Sequence, residues 1–219
     1  MTRVTVQPRS PLTRDRVLRA AVGIADEQGI AALTMRRLGE VVGAEAMSLY
    51  HHVSNKEDIL DGIAEHVVQE INDVVDGLPA QQDWKQAVRR RILHARAVLL
   101  KHPWAPAVFE TRKSVIPAVL RYHDGLIGLM RSGGFSNDLC HHALHALGSR
   151  ALGFSQELFD AGPGDDAAPP PNLAELPYLA EMLMEVVHDD PDSTIGWCDD
   201  QFEFEFGLDL ILDGLDKIK

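Results

Sequence analysis

Between positions 36 and 56, Arg36, Ser48, Tyr50, His51, His52 and Lys56 put donors, hydroxyls and rings close together along the chain. Arg36 and Lys56 are the types that meet phosphate oxygens, and Tyr50 and His52 can donate to a nucleic-acid backbone. Met47 among them can contact a thymine methyl. The plainer reading of each is a solvated surface residue or, for Tyr50, a core ring with its hydroxyl outward. A second set is His141, His142 and His145 in HHALH. His141 and His145 have the i, i+4 spacing that can hold one zinc ion. No nearby carboxylate or cysteine completes the ligand set, so a polar helix face is favoured and no metal or other cofactor is expected. His123 lies on an apolar stripe with Ile116, Val119, Leu120, Ile127 and Met130. It is either a satisfied core histidine or part of a ligand cavity walled by Trp104, Phe109 and Met130. The chain has no paired carboxylates, nucleophile elbow or glycine-rich phosphate loop, which argues against an enzyme.

The elements that must position these residues are helical. Thr13 opens a helix with Leu18, Ala21, Val22 and Ala25 on one stripe, ending at Gly29. Thr34 caps a second, in which Met35, Leu38, Val41 and Val42 recur at helical spacing and which Gly43 ends. A short helix from about Glu45 to His52 follows. Ser54 then caps a longer one, with Glu57 at the capping-box position and Leu60, Ile63, Ala64, Val67 and Ile71 on one face. Helix, glycine turn and short polar-aromatic helix make a helix-turn-helix, the arrangement that enters a DNA major groove.

A boundary is expected at Gly77-Leu78-Pro79, dividing residues 1–76 from 77–219. Beyond it, Asp83 caps a helix running to Pro103, and PWAPAVFETR reads as a connector. Helices follow from about Ser114 to Ser132, and from Ser136 through Leu139, Ala143, Leu147, Phe154 and Leu158. Residues 160–172 read as a Pro/Gly/Asp loop and 173–188 as a helix. In the last helix, Phe202, Phe204 and Phe206 alternate like a strand. Yet Phe204, Leu208, Ile211, Leu212 and Leu215 keep helical spacing over three turns, so helix prevails. That stripe is more apolar than an outer helix needs, and much of it is expected at a dimer interface. The architecture is all-α, a three-helix DNA-binding domain followed by a helical bundle.

The run LTMRRLGEVVGAEAMSLYHHVSNKEDILD resembles the DNA-binding domain of TetR-family transcriptional regulators, and FEFGLDLILDGLDKI resembles the last helix of the tetracycline-repressor type. The resemblance is strong over residues 13–71. It implies a repressor that binds a palindromic double-stranded DNA operator as a homodimer and is released by a small-molecule effector. Carried over residue by residue, Thr34, Met35 and Arg36 match positions that touch phosphate and a base. Ala46, Met47, Ser48, Tyr50, His51 and His52 fall on the recognition helix, and Lys56 on the phosphate-binding start of the next. Ala46 stands where tetracycline repressors carry a base-reading glutamine, so the operator should differ. Where those repressors place two histidines around a magnesium-tetracycline chelate, this chain has Asn72 and Phe109. The resemblance also implies a four-helix dimer interface built by the helix starting at Ser136 and the last helix, where Gly148, Gly153, Gly207 and Gly214 would allow close approach.

The formal charge of −12 speaks against nucleic acid until it is divided. Residues 1–56 hold eight Lys/Arg and five Asp/Glu, a net +3, and residues 57–219 carry −15. Because charge is screened beyond about 8 Å at physiological salt, the sign of the head outweighs the total. At 219 residues with 45% hydrophobics the chain can bury a real core. No apolar run is long enough to span a bilayer, and MTRVTVQPRSPLTR lacks the apolar centre of a secretory signal. Cys140 and Cys198 are too few for a disulfide framework. A cytoplasmic protein without membrane association is expected.

Overall fold

The computed structural model describes residues 11–112, 115–154, 175–178, 180–181 and 200–219. Among them are nine α-helices with both ends described, further helical residues at 177–178 and 180–181, and no strand. The helix α1 (Arg14–Gln28) is capped by Thr13, whose hydroxyl accepts from the Arg16 amide. After a 3₁₀ turn at Ile30–Ala32 come α2 (Met35–Val42), α3 (Ala46–Leu49) and the long α4 (Lys56–Asp76). The remainder is α5 (Trp84–Leu99), α6 (Ala105–Thr111), α7 (Pro117–Ser132), α8 (Asn137–Leu147), a 3₁₀ turn at Gly148–Leu152, and α9 (Asp200–Asp216).

The centre of the molecule is α4, which packs on α1 at its start and on α5, α6 and α7 further along. The expected stripe Leu60, Ile63, Ala64, Val67 and Ile71 is buried throughout. So is Asn72, whose amide nitrogen donates to the Ala118 carbonyl of α7 at 2.9 Å. Burying that amide unpaired would be costly, so the bond pins α4 to α7. Head and body share one continuous set of buried apolar residues.

Several elements differ from the sequence reading. The cap of α4 is Asn55, one residue past Ser54, and its side-chain oxygen accepts from the Asp58 amide at 2.9 Å. The short helix proper covers Ala46–Leu49, with turn-type hydrogen bonds continuing to His52 and Val53. The supposed connector after Pro103 contains α6, because its proline sits in the first turn, where the missing N–H has no partner to lose. The helix after it starts at Pro117 rather than Ser114. The helix opened by Ser136 stops at Leu147, since Gly148 adopts φ 51, outside the helical range. The α7 face also turns, so that Ala118, Tyr122, Leu126 and Met130 are buried while Leu120 is 58% exposed. His123 is half-buried beside Tyr122, and burial lowers its pKa. Leu158, the loop at 160–172, Cys198 and most of the helix at 173–188 lie outside the described residues.

The last helix requires the largest correction. Phe204, Leu208, Leu212 and Leu215 are buried against the chain's own body, not left for a second subunit. The helix packs on α5 and α8. Arg89 of α5 pairs with Glu205 and Asp209 at 2.6 Å each, and the Arg96 guanidinium lies 4.2 Å from the Phe204 ring centroid. The apolar residues that α9 leaves exposed are Phe202, Phe206 and Leu210.

Candidate DNA interface and ligand groove

The second helix of the helix-turn-helix is held by little apolar contact and much backbone fit. Of its four residues only Leu49 is buried. The close approach comes from Gly39 on α2, where a Cβ would stand 2.7 Å from the Ala44 carbonyl oxygen and 3.3 Å from the Ala46 nitrogen. Val42, the end of α2, is tied to α1 by Arg16, whose guanidinium donates to its carbonyl at 3.0 Å. The turn itself passes through Gly43 in the left-handed region, as its position suggests.

The far end of α3 is fixed by charge. Arg14 donates to both oxygens of Asp58, at 2.6 and 3.1 Å, and to the His52 carbonyl at 3.2 Å. Asp58 also accepts from the Ser54 amide at 2.7 Å. The hydrogen-bonded Arg14 guanidinium, with the Ser54 amide, holds the Asp58 carboxyl below its ordinary pKa. One ion pair thus joins α1, the chain leaving α3 and the first turn of α4. Arg14, Arg16 and Asp58 escaped the sequence reading. Asp58 had a signal, being three residues after an asparagine cap, but Arg14 and its partner are 44 positions apart.

This frame turns part of the expected set outward. Met47 is 72% exposed and Tyr50 47%, while Ser48, Ala46 and His52 are half-buried and His51 and Lys56 exposed. Arg36 projects from α2 and pairs with Glu40 at 3.1 Å, which lowers the Glu40 pKa. Thr34 spends its hydroxyl on the Arg37 amide at 3.1 Å, so it caps α2. Met35 is half-buried against the core. The surface is a small apolar and aromatic ridge flanked by arginine, lysine and histidine. Such a ridge fits base edges and phosphates.

The four residues expected to line a ligand cavity are not brought together. Trp104 is buried at the junction of head and body, donating to Asp26 at 2.6 Å beside His102, which bridges Asp26 and Glu70. Met130 belongs to the core. Phe109 lines a groove of about 210 Å³ with Arg112, Val115, Ile116, Val119, Leu120 and Leu152. His123 does not border that groove. Arg112 was not legible in the sequence, because its partners are on α4. Among the described residues no group of three or more His, Cys, Asp or Glu side chains is placed to hold a metal ion. His141, His142 and His145 are exposed, with the His141 and His145 rings edge-on at 4.5 Å. Cys140 is buried, which raises its thiol pKa. No described helix is long and apolar enough to cross a membrane.

Comparison with known proteins points the same way. Residues 17–63 match the family model described as bacterial regulatory proteins, tetR family, and residues 77–218 match the tetracyclin repressor-like C-terminal domain. An HTH-type transcriptional regulator of Saccharopolyspora erythraea is 36% identical over 124 residues, spanning 57% of this chain and 51% of that protein. The crystal structure of a possible TetR family transcriptional regulator from Streptomyces coelicolor A3(2) superposes with a TM-score of 0.76 at 31% identity, covering 94% of this chain and all of the other. The Streptomyces coelicolor TetR family protein ActR, solved in complex with (S)-DNPA, superposes at 0.67 with 25% identity, covering 95% and 98%.

Proposed function

The chain belongs to the TetR family of bacterial transcriptional regulators, and from that premise we propose that it is a homodimeric cytoplasmic repressor, not an enzyme, released from a palindromic operator by a small molecule. Residues 1–76 form the DNA-binding domain and 77–219 the ligand-binding and dimerisation domain in this reading. Each head lays Ala46–His52 in a major groove, with half-sites about 34 Å apart. Thr34, Met35, Arg36 and Lys56 meet the flanking phosphates and a base. The observation that carries this reading is α3 itself, a helix with one buried residue that exposes Met47 and Tyr50 beside a row of donors. A solvent-facing role would not require that ridge.

The test is direct. Selection from random duplexes should recover an inverted repeat. On it, Tyr50→Ala combined with Lys56→Ala should weaken binding by about 3 kcal/mol, with a salt slope shallower by about one phosphate contact. Unchanged affinity and slope in the folded double variant would refute the assignment.

The dimer is assigned to the exposed face of α9, where Phe202 and Phe206 stack at 6.3 Å with Leu210 one turn on. For the effector, the magnesium chelate of tetracycline repressors does not fit here. Phe109 cannot ligate a metal or its waters, and Asn72, whose amide nitrogen donates to Ala118, offers a single Oδ1 where those repressors have an imidazole. The effector site is metal-free and mainly apolar, centred on Phe109. Trp104, His123 and Met130 do not line it. That ActR is solved in complex with (S)-DNPA supports a small-molecule response in a chain of this architecture.

A further inference from the structure

We propose that Arg112 is the element through which the groove and the DNA-binding head communicate, and that the groove takes an apolar molecule bearing a carboxylate or similar anion. The proposal rests on the reading of the chain as a ligand-released regulator and specifies the chemistry of that release.

Arg112 directly follows α6 and, among the described residues, is the one charged side chain lining an otherwise apolar groove. Its side chain is only 8% exposed. One terminal nitrogen donates to Glu57 at 2.8 Å and to Asp61 at 3.1 Å, both in the first two turns of α4. The other nitrogens donate to the Thr111 hydroxyl at 3.0 and 3.3 Å. Arg112 therefore both lines the groove and holds the part of α4 that begins at Lys56.

A buried guanidinium must keep an anionic partner, since removing its partner leaves an uncompensated charge. Exchanging one carboxylate for another avoids that cost. Glu57 is the replaceable partner, because its side chain is 70% exposed and such ion pairs are weak. An incoming anion would also bring apolar surface to cover Val115 and Leu120, now 71% and 58% exposed. Those terms favour an apolar anion over a neutral ligand, which would leave Arg112 where it is, and over a cation, which Arg112 repels.

The consequence for DNA follows from charge. With Arg112 turned from Glu57 to the ligand, Glu57 loses its compensating cation beside Lys56. A bare carboxylate at the start of α4 then faces the phosphate backbone and opposes its approach. The tie between α6 and α4 loosens in the same step. The ligand thus interacts better with the DNA-free state, which any release mechanism requires.

The experiment uses the full-length protein, its selected operator, and naphthoate with its neutral counterpart naphthamide as probes. Calorimetry should show naphthoate binding the wild type at least roughly tenfold more tightly than naphthamide, and naphthoate should lower operator affinity by roughly tenfold or more. Arg112→Gln should lower operator affinity without any probe and lose the preference for naphthoate. Adding Glu57→Gln and Asp61→Asn to that variant should restore operator affinity towards wild type, because no uncompensated acid remains. If Arg112→Gln fails to fold, Arg112→Lys is read in the same assays, its single ammonium being unable to serve both carboxylates. Equal binding of the two probes, no binding of naphthoate, or a triple variant no better than Arg112→Gln would overturn the proposal. The probe titrations need no DNA. A wild-type chain that binds naphthoate through Arg112 but no duplex would instead refute the reading as an operator-binding regulator.

Discussion

The helices α3 and α9 both expose apolar side chains, and the surroundings of these differ in sign. On α3, Met47 and Tyr50 stand among Arg36, His51, His52 and Lys56. On α9, Phe202, Phe206 and Leu210 stand among Glu203, Glu205 and Asp209. In the proposed reading each exposed apolar ridge is an interface, and the neighbouring charge selects the partner. Cations admit a polyanion, whereas carboxylates exclude it and leave another protein surface. The helices are also held differently. One is positioned by backbone contact at Gly39 and by the Arg14–Asp58 pair, the other by a buried stripe and the Arg89 ion pairs.

The largest effect should come from reversing the α9 face. Phe206→Glu with Leu210→Glu should yield a folded monomer by sedimentation, with operator affinity reduced by roughly a thousandfold because the two heads no longer bind as one unit. Leu208→Glu makes the contrast sharp. A carboxylate at that fully buried position should unfold the body, lowering the thermal midpoint by 10 °C or more on the scale of about 3–5 kcal/mol for an unpaired buried charge. A well-folded Leu208→Glu dimer would mean that the inward face has been misplaced.

The α3 side should respond to a single methyl. Gly39→Ala places a carbon where the Ala44 carbonyl stands, so α2 and α3 must separate, at about 1–3 kcal/mol of stability and with a larger loss of DNA affinity. Equal losses in both would show that the spacing of the two helices matters only for folding. In the body, tetracycline should bind no better with magnesium than without it in calorimetry. A strong magnesium dependence would place metal ligands where Asn72 and Phe109 are now described.

The smallest effect is that of pH on the head. The Asp58 pKa is lowered in the folded protein, so its contribution is present above the unfolded value of about 3.8 and is lost as pH falls through the lower folded value. Asp58→Asn should therefore flatten the acid limb of a urea-midpoint profile while leaving its neutral shape unchanged. The pair is partly exposed, so the change should stay under about 1 kcal/mol. An equal loss at neutral and acid pH, with the acid limb as steep as in the wild type, would show that the Asp58 charge contributes nothing.

The helix-turn-helix was legible in the sequence because its information is local. Caps at Thr13, Thr34 and Asp83, the left-handed Gly43 and the α4 stripe all act within a few residues of where they are read. The charge division of head and body was legible for the same reason, since it needs only composition. Amphipathicity likewise announced that α9 has an apolar face. It could not say whether that face turns to the chain's own core or to another subunit, because both environments reward the same periodicity. Only the packing of α5 and α8 against α9 decided that Phe204, Leu208, Leu212 and Leu215 turn inward and Phe206 and Leu210 outward. The ligand residues were illegible for a related reason. Trp104, Phe109 and Met130 are equally apolar in sequence, and the fold sends one to the junction, one to a groove and one to the core. Arg14 with Asp58 and Arg112 with Glu57 are pairs made across 44 and 55 positions. Such long-range contacts exist only once α4 has brought both ends of the molecule to the same helix.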